Sequence, residues 1–112
     1  MAMVDFPIEF RNEVGLPANV EAEMRAEVEG RLQDLLEGHT DMVGAEVAVE
    51  ELTGDTTPHM YEVRVVVYMR PESIVAVEKQ ETAIGALKGS LSAVERQVRQ
   101  YREKLREPWK QP

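Results

Sequence analysis

Apolar and polar residues follow two different periods along the chain, and these periods predict four strands and two helices. Apolar residues take every second position at about 6–12, 42–51, 60–69 and 73–78, as strands with one buried face require. Apolar residues three and four positions apart predict helices at about 18–37 and 81–106, followed by a tail at 107–112. The predicted element order is β-α-β-β-β-α.

This order favours an α+β fold, a two-layer sandwich. Three consecutive strands with short connections should form an antiparallel meander, and the first strand can join the sheet in parallel because a helix separates it from the second. Each helix has a single apolar stripe, so both helices should pack on one face of a four-stranded mixed sheet. The 112 residues are predicted to form one domain.

The alternation also assigns strand residues to the two faces of the sheet. The inward set on the second and third strands is Val43, Ala45, Val47, Val49, Val63, Val65 and Val67. The outward set is Glu46, Glu50, Glu62, Arg64, Val66 and Tyr68. The outer face therefore mixes charged residues with two large apolar ones and is predicted to tolerate water.

The last helix carries a line of basic residues beside its apolar stripe. From residue 79 onward the chain has eight Lys and Arg against four Glu, whereas residues 1–78 hold five basic and seventeen acidic residues. The two parts carry +4 and −12, which together give the net charge of −8. A basic helix on an acidic body indicates an element that faces a polyanion; the alternative is an ordinary solvated helix face.

The sequence gives little support for catalysis, metal binding or a membrane span. Without cysteine the chain can form neither disulfides nor thiolate metal sites, and His39 and His59 lie in separate loops without a metal-binding spacing. Glu50 and Glu51 are adjacent on a strand and point to opposite faces, so they cannot act as a paired acid and base. We therefore expect no catalytic residues, no metal and no cofactor. No apolar run reaches the roughly 18 residues of a membrane span, so we expect a cytoplasmic protein.

Five segments carry a family resemblance. In chain order they read IEFRN, AEVAVEEL, YEVRVVVYMRP, SIVAVEK and ERQVRQYREKL. Together with the element order, they resemble the ribosome hibernation promoting factors, also called the sigma-54 modulation or S30EA family. The resemblance covers nearly the whole chain and is greatest for the short, single-domain members.

The resemblance implies binding to the small ribosomal subunit in the channel used by mRNA and tRNA, where the protein blocks initiation without catalysis. Family members use basic residues of both helices against rRNA phosphates. The matching positions here are Arg25, Arg31, Lys88, Arg96, Arg99, Arg102 and Arg106. Such contacts require cationic side chains on a rigid surface, and they do not depend on the base sequence of the RNA. Neither DNA nor a membrane is expected as a partner.

The acidic first helix keeps a second interpretation open. Its carboxylates outnumber Arg25 and Arg31; they include Glu21, Glu23, Glu27, Glu29 and Glu37. The chain would then be a protein-interaction module on the same fold, with weakened or lost ribosome binding and a homodimer through Val66 and Tyr68 on the outer sheet face. Trp109 in the tail either caps the domain or contacts a partner.

Overall fold

A computed structural model of the chain describes residues 6–39, 41–52, 60–69 and 72–106, without the side chains of residues 105 and 106. The elements are β1 (Ile8–Asn12), α1 (Ala18–Leu36), β2 (Met42–Leu52), β3 (Met60–Met69), β4 (Ser73–Gln80) and α2 (Ala83–Arg106). The predicted order β-α-β-β-β-α is confirmed. The predictions for His59, Trp109 and the side chain of Arg106 lie outside the described residues.

The four strands form one mixed sheet in the order β1-β2-β3-β4. β1 is parallel to β2, and the two are connected through α1, while β2, β3 and β4 form the predicted antiparallel meander. β1 and β4 are therefore the two edge strands of the sheet. The α+β fold class is confirmed.

One hydrophobic core lies between the sheet and the two helices. The strands supply a layer of valines, and every third or fourth residue of each helix packs against it, because these spacings place side chains on one side of a helix. The helix residues of this core are Met24, Val28, Leu32 and Leu35 from α1 and Leu87, Leu91, Val94 and Val98 from α2. Each such side chain stabilises the fold by roughly 1.5–3 kcal/mol through its removal from water.

Ser90 fastens α2 to the sheet within this core. Its hydroxyl is fully buried and donates a 2.6 Å hydrogen bond to the carbonyl oxygen of Val63 in β3. A buried hydroxyl without a partner would destabilise the fold, so this bond explains how a serine is accommodated between apolar residues. It also fixes the rotation of α2 about its own axis.

The prediction that Val43 faces the core is wrong. Met42 pairs with Met69 and Gly44 pairs with Tyr68, so Val43 is an extra residue without a partner in the ladder. Such a bulge interrupts the alternation of the strand. Met42 is buried as a result, and Val43 is 40% exposed.

The ends of three elements differ from their predicted positions. β1 begins at Ile8, β4 continues to Gln80, and α2 begins at Ala83. The start of α2 is fixed by Thr82, whose hydroxyl accepts a 3.1 Å hydrogen bond from the amide of Gly85. This is the geometry of an N-cap, in which a side-chain oxygen satisfies an otherwise unpaired amide of the first turn.

Candidate nucleic-acid interface

One side of α2 presents three basic side chains to solvent. Lys88, Arg96 and Arg99 are exposed and lie outside the apolar stripe that contains Leu87, Leu91 and Val94, which are fully buried. Among the residues that the structure describes, none forms an ion pair with these three side chains. We refer to Lys88, Arg96 and Arg99 as the cationic stripe. Its charges are available for an external anion.

Arg102 lies near the same line but is bound within the protein. Its Nε and Nη2 atoms each donate a 2.7 Å hydrogen bond to the carboxylate of Asp41, and its Nη1 atom donates to the carbonyl oxygen of Leu35 at 2.8 Å. These bonds hold the pKa of the Asp41 carboxyl below its ordinary value. Arg102 therefore ties α2 to the last turn of α1 and to the residue that precedes β2.

Arg31 makes a second connection between the helices. It donates two hydrogen bonds to the carboxylate of Glu95, at 2.7 and 3.1 Å, and others to Ser92 Oγ at 2.9 Å and to the carbonyl oxygen of Lys88 at 3.3 Å. The bonds to Glu95 raise the pKa of Arg31, so the guanidinium stays charged. Because Lys88 belongs to the cationic stripe and Ser92 and Glu95 flank it, Arg31 positions the stripe rather than extending it.

Arg25 is exposed on α1 and has partners on its own side of the molecule. Its Nε atom lies 3.0 Å from the carboxylate of Glu21, and its guanidinium lies 4.9 Å from the centre of the Phe10 ring. Hydrogen bonds from Asn12 and then from Arg25 lower the pKa of Glu21. The charge of Arg25 is therefore largely balanced by its neighbour. The structure thus places six of the seven predicted RNA-binding residues in different settings, and three of these six form an unpaired cationic surface within the described part of the chain.

A groove of about 630 Å³ runs between the end of α1 and the last turns of α2. Its walls are formed by Asp34, Leu35, Glu37, His39, Arg99, Arg102 and Glu103. Arg99 thus belongs both to the cationic stripe and to the groove. Since three carboxylates share the groove with it, an anion that approaches Arg99 through the groove meets repulsion.

The outer sheet face differs from α2 in charge. By their pairing, Glu46, Glu50, Glu62 and Arg64 lie on this face, as predicted, and Glu9 and Arg11 lie beside them on β1. Tyr68 is exposed, and its hydroxyl donates a 3.2 Å hydrogen bond to Glu46, whose carboxylate raises the pKa of the phenol. Val66 lies on the same face but is only 5% exposed, so it offers little surface to a partner.

Several structural partners escaped the sequence analysis. Asp41, Ser92 and Glu95 determine which arginines are free, yet Asp41 and Glu95 bind arginines 61 and 64 residues away in the chain. No local pattern indicates such pairs. In the described ranges there is no group of three or more His, Asp or Glu residues that could hold a metal ion. No helix in those ranges is long and apolar enough to cross a membrane.

Comparison with known proteins identifies similar sequences and structures. A family model described as sigma 54 modulation protein / S30EA ribosomal protein matches residues 15–106. A ribosomal subunit interface protein from Coxiella burnetii has 11% identity, with 88% of this chain and 100% of that chain covered and a TM-score of 0.62. The N-terminal domain of Thermus thermophilus Protein Y has 14% identity, with 86% and 96% covered and a TM-score of 0.61. At these identities the two structures show a shared fold. No curated protein sequence matches significantly.

Proposed function

The chain belongs to the sigma 54 modulation protein / S30EA ribosomal protein family, and from this we propose that it is a ribosome-associated hibernation factor that binds small-subunit rRNA. It acts in the cytoplasm by occlusion and without catalysis. Within the channel used by mRNA and tRNA, the bound protein would leave no room for initiation. The family match over residues 15–106 supports the ribosome as the partner. The proposed mode of binding is supported by the unpaired cationic stripe on α2.

The cationic stripe suits contact with an RNA backbone. From Lys88 to Arg99 it extends over roughly 16 Å, at about 1.5 Å of helix rise per residue. Each phosphate that these cations neutralise releases counterions into solution, which favours binding at low salt. Such contacts position a protein on RNA without reading its sequence, as occlusion of a fixed channel requires.

Arg31 and Arg102 contribute indirectly in this proposal. Arg31 ties α1 to α2 through Glu95 and a backbone carbonyl of α2. Arg102 ties α2 to a backbone carbonyl of α1 and to Asp41 before β2, so the stripe has one fixed position relative to the rest of the molecule. A rigid cationic surface loses less conformational entropy on binding than mobile side chains on a loose helix. Arg102 is therefore a positioning residue, and its replacement would change both stability and binding.

The experiment that tests this function is co-sedimentation with purified small ribosomal subunits at low and high salt. Arg96→Glu and Arg99→Glu reverse single charges of the stripe, and each should weaken binding by about tenfold or more at low salt, since a phosphate contact becomes a repulsion. Arg64→Glu is the matched control, because Arg64 is exposed but lies on the outer sheet face.

The expected result is binding that weakens steeply with salt, is reduced by both stripe variants, and is nearly unchanged by Arg64→Glu. An absence of binding at low salt would refute the ribosome as partner. Equal losses for all three variants would instead refute the stripe as the contact surface, because only net charge would then matter. Thermal melts of each variant confirm that the fold is retained.

A protein-interaction module on the same fold is the second candidate function, and a specific observation favours it. Tyr68 is 41% exposed, and two valines of β4 next to it are exposed to a similar extent. Apolar side chains grouped on a surface are typical of protein contacts. Binding through such a surface would be insensitive to salt and to Arg99→Glu, which distinguishes it from binding to rRNA.

A further inference from the structure

The outer sheet face has an apolar patch at the β4 edge. Tyr68, Val75 and Val77 are 41%, 45% and 44% exposed. They lie on neighbouring strands and on the same face, since Tyr68 pairs with Ser73 and the valines occupy alternate positions of β4. We call these three residues the edge patch. We propose that two copies of this chain pair in antiparallel orientation through the free edge of β4. The two sheets then form one continuous sheet, and the edge patches of both copies lie side by side on its outer face.

β4 lacks the features that usually protect an edge strand. All of its eight residues pair in regular register with β3, so no bulge turns the edge away. No charged side chain occurs from Ser73 to Val77, where the edge patch lies. Natural edge strands are commonly blunted by charges, proline or bulges, because an open ladder of N–H and C=O groups otherwise pairs with another strand.

The charge of this face argues against other classes of occupant. Glu9, Glu46, Glu50 and Glu62 share the outer face with the edge patch. These carboxylates would repel RNA phosphates and anionic lipid headgroups. A basic protein would instead be drawn toward β1 and β2, where most of the carboxylates lie. The part of the β4 edge from Ser73 to Val77 carries no charge and therefore suits an uncharged strand segment, and the same segment of a second copy has that property.

An antiparallel β4 pair has one register in which both exposed valines of each copy lie opposite valines of the other and no like charges are opposed. When the two-fold axis passes through Ala76, Val75 of one copy lies opposite Val77 of the other, and Ser73 lies opposite Lys79. A shift of the axis to Val75 would place Glu72 opposite Glu78 of the other copy. A shift to Val77 would place Lys79 opposite Val75. Directly opposed like charges destabilise a strand pair, and apolar pairs stabilise it.

The helices permit this arrangement. A two-fold axis perpendicular to the sheet keeps the helices of both copies on the same side, where α2 packs over β3 and β4. Strands are spaced by about 4.8 Å, so the two α2 axes would be roughly 8–10 Å apart, the usual distance between packed helices. The α2 residues above β4 include Gly85 and Gly89, whose Cβ positions would meet Gln80 and Glu78 at 3.6 and 3.1 Å. A side chain at either position would press on the chain's own β4, so the two glycines let α2 pack closely over that strand.

Analytical ultracentrifugation from micromolar to millimolar concentration tests the dimer without ribosomes, so its outcome is independent of the rRNA proposal. The wild type should show a concentration-dependent dimer. Val77→Glu should raise the dimer dissociation constant by about tenfold or more, because it places a charge in the apolar contact between the two edge patches. The variant should still fold, because residue 77 lies opposite Arg64 within the monomer. Val43→Glu is the matched control, since Val43 is 40% exposed but lies on β2.

Cysteine variants then test the register, since the natural chain has no cysteine. Under mild oxidation, a mixture of the single variants Val75→Cys and Val77→Cys should give more disulfide-linked dimer than either variant alone or Val43→Cys. Opposite positions in the proposed pair bring the Cβ atoms close enough for a disulfide. A wild type that stays monomeric at millimolar concentration, or equal effects of Val77→Glu and Val43→Glu, would overturn the proposal. Equal cross-linking of all cysteine variants would also overturn it.

Discussion

Three arginines that follow one another at three-residue spacing on α2 have different roles. Arg96 and Arg99 are exposed, whereas the guanidinium of Arg102 is occupied by Asp41 and by the carbonyl oxygen of Leu35. Each three-residue step turns the side chain by about 60° around α2. The helical period cannot show which of the three arginines meets a carboxylate from another element. An arginine held at two points has fewer donors left for a phosphate. At the scale of single residues, charge alone is thus a poor guide to the binding surface.

Asp41→Asn should lower stability at neutral pH and have little effect in acid. The folded-state pKa of Asp41 lies below the ordinary 3.8, so the carboxylate stabilises the fold above that pH. This stabilisation is lost as the pH falls through the lower, folded-state pKa, because the proton removes the charge that Arg102 binds. We expect a loss of about 1–2 kcal/mol in the free energy of unfolding at pH 7, shrinking toward zero in strong acid. Urea denaturation of both proteins at several pH values measures this difference in the free energy of unfolding.

Asp34→Asn provides the control for this prediction. Asp34 is an exposed carboxylate near the end of α1, and its side chain forms no ion pair with any other residue in the described ranges. The substitution makes the same chemical change without breaking a connection between elements, so its unfolding free energy should stay close to that of the wild type throughout. A constant difference between Asp41→Asn and wild type across the whole pH range would contradict the assigned ion pair.

At the scale of elements, α1 with 19 residues and α2 with 24 residues each have an apolar stripe but differ in the charge of their exposed surfaces. The exposed side of α2 is basic, whereas the exposed side of α1 combines carboxylates with small residues, including Gly30 in its interior. There is room for a side chain at position 30, because a Cβ on Gly30 would meet no atom within 4 Å. A glycine in a helix interior reduces stability relative to alanine, because its unfolded backbone has more freedom to lose.

Gly30→Ala should therefore stabilise the protein by about 0.4–1 kcal/mol. The measurement is the free energy of unfolding in urea. Gly38→Ala is the matched control with the opposite expectation: Gly38 follows α1 with a φ of 76°, a conformation that alanine adopts only with strain. A stabilisation of both variants, or of neither, would be inconsistent with these backbone assignments. Neither glycine belongs to the cationic stripe, so binding to small subunits should be unaffected.

At the scale of the whole molecule, the unequal distribution of charge matters more than its total. The chain carries a net charge of −8, yet the described part of α2 presents an unpaired cationic stripe. Acidic residues of α1 lie on the same side of the sheet as this stripe, and further carboxylates lie on the outer sheet face. Long-range repulsion from these carboxylates reduces attraction to a polyanion, and dissolved salt screens this repulsion together with the attraction.

Neutralising part of α1 should consequently strengthen binding to small ribosomal subunits. The double variant Glu23→Gln/Glu29→Gln removes two negative charges that form no ion pair within the part of the chain that the structure describes. At low salt we expect its affinity to rise by a few fold over wild type, and at high salt the two proteins should bind alike. Co-sedimentation at both salt concentrations measures this. An unchanged affinity at low salt would show that the acidic surface lies far from the bound RNA.

The sequence by itself determined the elements, the fold class and the family resemblance. Hydrophobic periodicity depends on local geometry, because a period near two or near 3.6 already selects strand or helix and the buried side of each. The α+β order and the core residues of both helices followed from it. Val43 is the exception, since a bulge forms only when β2 meets β3 and one residue finds no partner.

Only the tertiary structure decided which cations are free and which apolar residues are exposed. Arg31 and Arg102 are bound by groups more than sixty residues away, and Val66 is covered while Val75 and Val77 are not. The physical reason is that ion pairing and burial depend on neighbours in space. Two residues of the same type on the same face therefore differ only once the chain has folded.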